Sequence, residues 1–106
     1  MTRVFICGPL RADTTERMDV NIKRATYVAL KYWREGYNVY CPHMNSGSLH
    51  GLAPDKTFLA AALEELERSD IIVMLPGWRE SKGSCVEYDR AIKLNKEILF
   101  EVEEDV

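Results

Sequence analysis

An open, parallel α/β sheet is the fold class this sequence predicts, on three observations. Short apolar runs at 3–7, 37–41, 70–75 and 97–102 are bounded by Gly, Pro or polar residues, as buried strands are. Amphipathic stretches of helical period separate them, so the order reads β-α-β-α-β-α-β. Connections of that length make the strands parallel, with right-handed crossovers that lay helices on both faces. The 106 residues suit one domain, 1–106, a three-layer α/β/α fold of the flavodoxin-like or Rossmann-like kind with four to five strands.

Taken in order, Arg3 to Cys7 forms the first strand and Gly8-Pro9 closes it. A loop with Asp13 and Thr14-Thr15-Glu16 leads into a helix on which Ile22, Ala25, Ala29 and Trp33 recur at spacings of three and four. Gly36 suits its C-terminal cap. Residues 37–41 alternate and are rich in aromatic and β-branched types, a second strand that Pro42 ends. The segment 42–55 holds two His, two Gly, two Ser and two Pro and reads as one long loop, a length usually kept for function. Asp55 is expected to cap a helix whose Phe58, Leu59, Ala62, Leu63 and Leu66 share a face. Strand 70–75, a Gly/Ser-rich turn, helix 83–95 and strand 97–102 complete the domain. The acidic stretch Glu101 to Asp105 is expected to fray. Tyr32, Trp33, Tyr37 and Met44 read as packing residues.

Composition narrows the function classes. A net charge of −3 with no Lys/Arg run argues against nucleic acid polymers as partners. No apolar stretch approaches the roughly 20 residues that span a membrane. Met1-Thr-Arg passes straight into a strand, so no leader peptide is expected. Cys7, Cys41 and Cys85 are odd in number and not at metal-ligand spacing, as reduced thiols in a cytoplasmic protein would be. His43 and His50 likewise lack zinc-site spacing, so neither metal nor other cofactor is expected. The 46% apolar content builds one core with little surplus. Tyr32, Trp33 and Tyr37 are more aromatic surface than one helix and strand should bury, which points to a homodimer or larger closed assembly.

Three polar loops, 8–19, 42–55 and 76–83, follow strand ends and open on one edge of the sheet, where α/β ligand sites lie. Several chemistries are excluded there: the chain has no P-loop, dinucleotide fingerprint or Gly-x-Ser-x-Gly elbow. Cys7 and Arg11 are too close for a Cys-x5-Arg phosphatase loop, and the acidic residues of a phosphorelay receiver are missing. What remains is positive. Gly8-Pro9-Leu10-Arg11 sets an Arg beyond the first strand, either solvated or in reach of an anion. His43 and Asn45 follow the second strand, where a lone loop His is most often structural. Gly77 and Trp78 follow the third; the indole could stack on a base or seal a core edge. Ser81, Gly83 and Ser84 bring hydroxyls and backbone N–H groups to a helix N-terminus, a ready anion site.

Glu87 is the most informative residue. On a helical wheel, Val86, Arg90, Ala91 and Leu94 define one side and Glu87 falls near its middle, on a stripe with Ala91 and Leu94 that should pack on the sheet. A carboxylate there is costly unless it is paired or faces a cavity. The competing reading is a first-turn Glu favoured by the helix dipole and reaching to water.

These residues together resemble the nucleoside 2-deoxyribosyltransferase-like superfamily, over Val4 to Leu99. The most specific part is Ser81-x-Gly83-x-x-x-Glu87-x-x-x-Ala91 after a strand that opens at Asp70, and Pro76-Gly77-Trp78-x-x-Ser81 looks most like small phage and bacterial members. The resemblance implies a Glu87 nucleophile, Ser81 and Gly83 against a ligand's phosphate or sugar, and matches for Gly8 to Arg11 and for His43. It implies cleavage or transfer of a nucleoside or nucleotide N-glycosidic bond. The chain departs from the pattern where catalytic members carry an aspartate on the second helix: counting back eight residues from Asp70 gives Ala62. Asp13, Asp55, Glu65, His43 or a water are the alternatives for that proton donor. The C-terminal extension through which deoxyribosyltransferase neighbours complete each other's sites is not expected here, which makes a hydrolase or a binder the firmer expectation than a transferase. Ala62 favours the other expectation, a non-catalytic nucleotide-binding or sequestering protein on the same fold.

Overall fold

The computed structural model describes residues 1–102. Its elements are β1 (Arg3–Cys7), α1 (Thr15–Arg34), β2 (Asn38–Tyr40), α2 (Pro42–Ser46), α3 (Asp55–Glu67), β3 (Ile71–Met74), α4 (Lys82–Lys93) and β4 (Glu97–Phe100). The four strands are parallel, in the order β2-β1-β3-β4. Val4 to Cys7 and Ile71 to Leu75 are buried because β1 and β3 are central and covered on both faces. Alternation divides their side chains between two cores. Val4, Ile6, Val73 and Leu75 meet Ala25, Ala29 and Tyr32 of α1. Phe5, Cys7, Ile72 and Met74 meet Ala62 and Leu66 of α3 and Ala91 of α4. The domain is therefore a three-layer α/β/α open sheet.

Local chemistry sets the helix ends. Thr14 caps α1, its hydroxyl accepting from Arg17 N at 3.1 Å. At the other end Gly36 (φ +93°) takes the left-handed position, and Tyr37 N donates to Tyr32 O while Gly36 N donates to Trp33 O, a Schellman motif. Asn95 (φ +55°) closes α4 in the same way, with Lys96 N on Ala91 O and Asn95 N on Ile92 O.

Several expectations need correction. The segment 42–55 is not all loop: Pro42, free of an N–H to lose, starts the short helix α2, and Gly47–Leu49 makes a 3₁₀ turn. Asp55 is the first residue of α3 rather than its cap, a position that Pro54 holds without a side-chain bond. Trp33 (47% exposed) and Met44 (55%) are not core, because the buried stripe of α1 runs Ala25, Ala29, Tyr32. On α4 the buried residues are Ser84, Glu87 and Ala91, whereas Val86 and Leu94 face outward. The wheel placed Glu87 correctly but rotated the packing face around it. The last strand stops at Phe100, short of the expected 102. Residues 103–105 of the expected frayed end lie outside the described residues. Among those described, no helix is long and apolar enough to cross a membrane.

Candidate functional site

In this strand order the chain passes from β1 to β2 on one side and then crosses back over β1 to β3 on the other, so the crevice beyond β1 and β3 is the topological switch point. Gly8 lets the two strand ends approach there. A Cβ on it would lie 2.7 Å from Leu75 Cβ, closer than side chains tolerate. A cleft of about 730 Å³ opens at this point, walled by the β1–α1 loop, α2, the first turns of α3 and the first turns of α4.

The α4 wall carries the polar groups. Ser81 caps the helix, its hydroxyl accepting from Ser84 N at 3.2 Å. Gly83 presents no side chain, and a Cβ there would meet nothing within 4 Å. The Ser84 hydroxyl is buried with no hydrogen-bond partner among the described residues. One turn on, Glu87 is 8% exposed and still lines the cleft. Its Oε1 accepts from the Cys7 thiol, Sγ at 3.1 Å, at the end of β1. Burial pushes the Glu87 carboxyl up to about 7, with the thiol bond opposing in part. The Cys7 thiol is itself pushed well up, first by burial and then by the Glu87 charge, so it stays protonated and can donate.

The facing walls differ in character. His43 is buried, and its Nε2 lies 3.0 Å from the Pro9 carbonyl while Nδ1 lies 3.8 Å from Cys41 Sγ. A carbonyl only accepts, so Nε2 carries the proton. Burial lowers the imidazole pKa, which leaves a neutral ring tying α2 to the β1–α1 loop. Arg11 forms an ion pair with Asp55 at the mouth, both about half exposed. Phe58, Leu59 and Ala62 of α3 supply an apolar wall.

The cleft thus gathers Gly8, Pro9, Leu10, Arg11, His43, Gly77, Ser81, Gly83, Ser84 and Glu87 from the expected set. Asn45 is exposed and not among the lining residues. Trp78 lies across the 3₁₀ turn Trp78–Glu80, by a separate depression of about 480 Å³. Its ring stacks on Tyr88 at 4.5 Å, and the Arg79 guanidinium covers it at 4.9 Å, which answers to the edge-sealing alternative. Of the three substitute acids, Asp55 is at the cleft, Glu65 pairs with Arg3 and Arg68, and Asp13 pairs with Arg17 in solvent. Sequence reasoning missed Cys7 as a partner of Glu87 and the apolar wall of Phe58 and Leu59. The position of Cys7, last in β1 and directly before Gly8, was the available signal. Among the described residues no group of three His, Cys, Asp or Glu is placed to hold a metal ion.

No curated protein matches the chain. A family model matches residues 2–100, and so takes in every element of the sheet and every wall of the cleft. The chain belongs to that family, the domain of unknown function DUF4406.

Proposed function

We propose that the chain cleaves or transfers the N-glycosidic bond of a nucleoside or nucleotide, with Glu87 as the nucleophile. One observation carries the reading: a carboxylate buried in the wall of a cleft of about 730 Å³ at the sheet's switch point, with a thiol and, among the described residues, no cation as its hydrogen-bond partner. Such a carboxylate is costly, and costly titratable groups in clefts cluster at sites of chemistry. Positive charge developing on C1′ and the ring oxygen would favour its ionised form.

In the first step a Glu87 oxygen bonds to C1′ as the C1′–N bond breaks, and the electron pair leaves with the base nitrogen, which takes a proton. Water then attacks C1′, returning the ester's bonding pair to Glu87 and giving up a proton to solvent. A second base in place of water gives exchange. Phe58 and Leu59 suit the flat face of a base. Arg11 and the α4 N-terminus with Ser81, Gly83 and Ser84 suit a 5′-phosphate, Arg11 then leaving Asp55 for the ligand. His43 acts by holding the Pro9 loop, and Asp55 is an ion-paired carboxylate, so the base's proton comes from a water. A cytoplasmic homodimer is the setting this reading implies.

A second reading, a nucleotide-binding protein without catalysis, rests on Ala62. The position is apolar, buried and on the cleft wall, where catalytic members of the superfamily it resembles place an acid. The test is incubation with a panel of ribo- and deoxyribonucleosides and their 5′-monophosphates, with chromatography for free base and calorimetry for binding. Base release that falls at least about a hundredfold in Glu87→Ala, roughly 2.7 kcal/mol of barrier, supports the enzyme. Binding without release supports the second reading, and neither overturns both.

A further inference from the structure

Cys7 is a buried nucleophilic group that the sequence left without a task. Its backbone is pinned, because the Cys7 carbonyl accepts from Leu75 N at 2.8 Å in the β1–β3 ladder and Gly8 beside it cannot take a side chain. With the backbone fixed, the thiol reaches Glu87 Oε1 at 3.1 Å and, less closely, the Ser84 carbonyl oxygen at 3.6 Å. A thiol has one proton, so it serves one of these acceptors at a time. An ionised carboxylate is the stronger acceptor. A carboxyl that has become an ester or taken a proton is the weaker one, and the Ser84 carbonyl is then at hand.

We propose that Cys7 is a positioning residue for Glu87: its thiol holds the carboxylate toward the cleft when Glu87 is charged and passes its hydrogen bond to the Ser84 carbonyl when that charge is lost. The inference rests on the reading of Glu87 as nucleophile for its purpose, though the hydrogen bond stands apart from it. Cys7 is fully buried, which keeps it from serving as an accessible nucleophile or redox group. No other hydrogen bond to the Glu87 carboxylate forms among the described residues.

The other titratable groups near Glu87 stay the same when Cys7 is replaced. Tyr40 on β2 senses the Glu87 charge. Around the cleft lie His43 on α2, Asp55 and Lys56 on α3, Arg11 in the first loop, Glu80 in the 3₁₀ turn and Lys82 at the start of α4. Substitution at Cys7 therefore isolates the thiol's effect.

The experiment follows the Glu87 carboxyl carbon by NMR through a pH titration of the full chain, with Glu87→Gln to assign the signal. Cys7→Ala deletes the donor and should move the midpoint up by about half a pH unit or more. Cys7→Ser, with a stronger donor, should move it down. A midpoint unmoved in either folded variant overturns the proposal, so each variant decides alone. In parallel, base release in Cys7→Ala should show a lower kcat at unchanged KM, with recovery in Cys7→Ser. If the wild type releases no base, the proposed chemistry fails while the titration still judges the thiol. If the chemistry holds and the midpoint does not move, the role of Cys7 fails alone.

Discussion

Glu87 makes its cost measurable. A native carboxyl pushed up to about 7 from an ordinary 4.5 holds its proton more tightly than the unfolded chain does. As pH rises through that window the unfolded chain ionises first. Stability is therefore full below about 4.5, declines between 4.5 and 7, and has lost about 3 kcal/mol above 7. Glu87→Gln should thus match the wild type in acid and exceed it by up to that amount at pH 8, read by denaturant unfolding at both values. Taking the difference between the two proteins cancels His43, whose lowered pKa costs stability toward acid in both. Equal pH dependence in the two would mean that Glu87 is solvated. Gly8 is a second residue with a clear expectation. A methyl group there would sit 2.7 Å from Leu75 Cβ, and Leu75 is fixed in the core, so Gly8→Ala should destabilise by about 1–3 kcal/mol as other overpacked sites do. Thermal unfolding at wild-type Tm would show that the strand ends part freely.

At the scale of elements, the N-terminus of α4 joins stability to the cleft. The Ser81 hydroxyl already accepts the Ser84 N–H, so its own proton is the part left for a ligand. Ser81→Ala should cost about 1 kcal/mol of stability through the lost cap and should weaken binding of a 5′-monophosphate more than that of its nucleoside. Equal loss for both ligands in calorimetry would remove the phosphate from this helix end. Legibility also differs between elements. The periodicity of α1 and α3 and the β-branched runs of β1 and β3 were readable because packing on a sheet demands them. The short helix α2 was not, because five residues carry no period, and the buried His43 that anchors it answers to a carbonyl 34 positions earlier in the chain.

For the whole molecule, surface composition raises the question of partners. Tyr32 and Tyr37 are accounted for inside the α1 core, where their rings meet at 5.8 Å, so that part of the case for association falls away. Tyr27, Leu30 and Trp33 of α1 remain exposed, as do Leu99 and Phe100 on the edge strand β4. Exposed apolar groups on a helix and an open sheet edge are what subunit contacts cover. Light scattering at micromolar concentration should give about twice the 12.2 kDa of one chain. A mass near the single chain would leave these residues as ordinary surface.

Local rules, read residue by residue, were enough for the layer architecture, the parallel strand direction and the edge on which three loops open. Each depends on periodicity and connection length, and those are properties of neighbours in the chain. They also put a carboxylate at position 87 on a packing face. Strand order, the turning of α4 that buries Ser84 and exposes Leu94, the thiol against Glu87 and the removal of Trp78 to the far side of its turn were decided by the tertiary structure. These join residues up to 80 positions apart, as Cys7 and Glu87 are. Such contacts follow from how two cores fill on opposite faces of one sheet, and no local pattern encodes that.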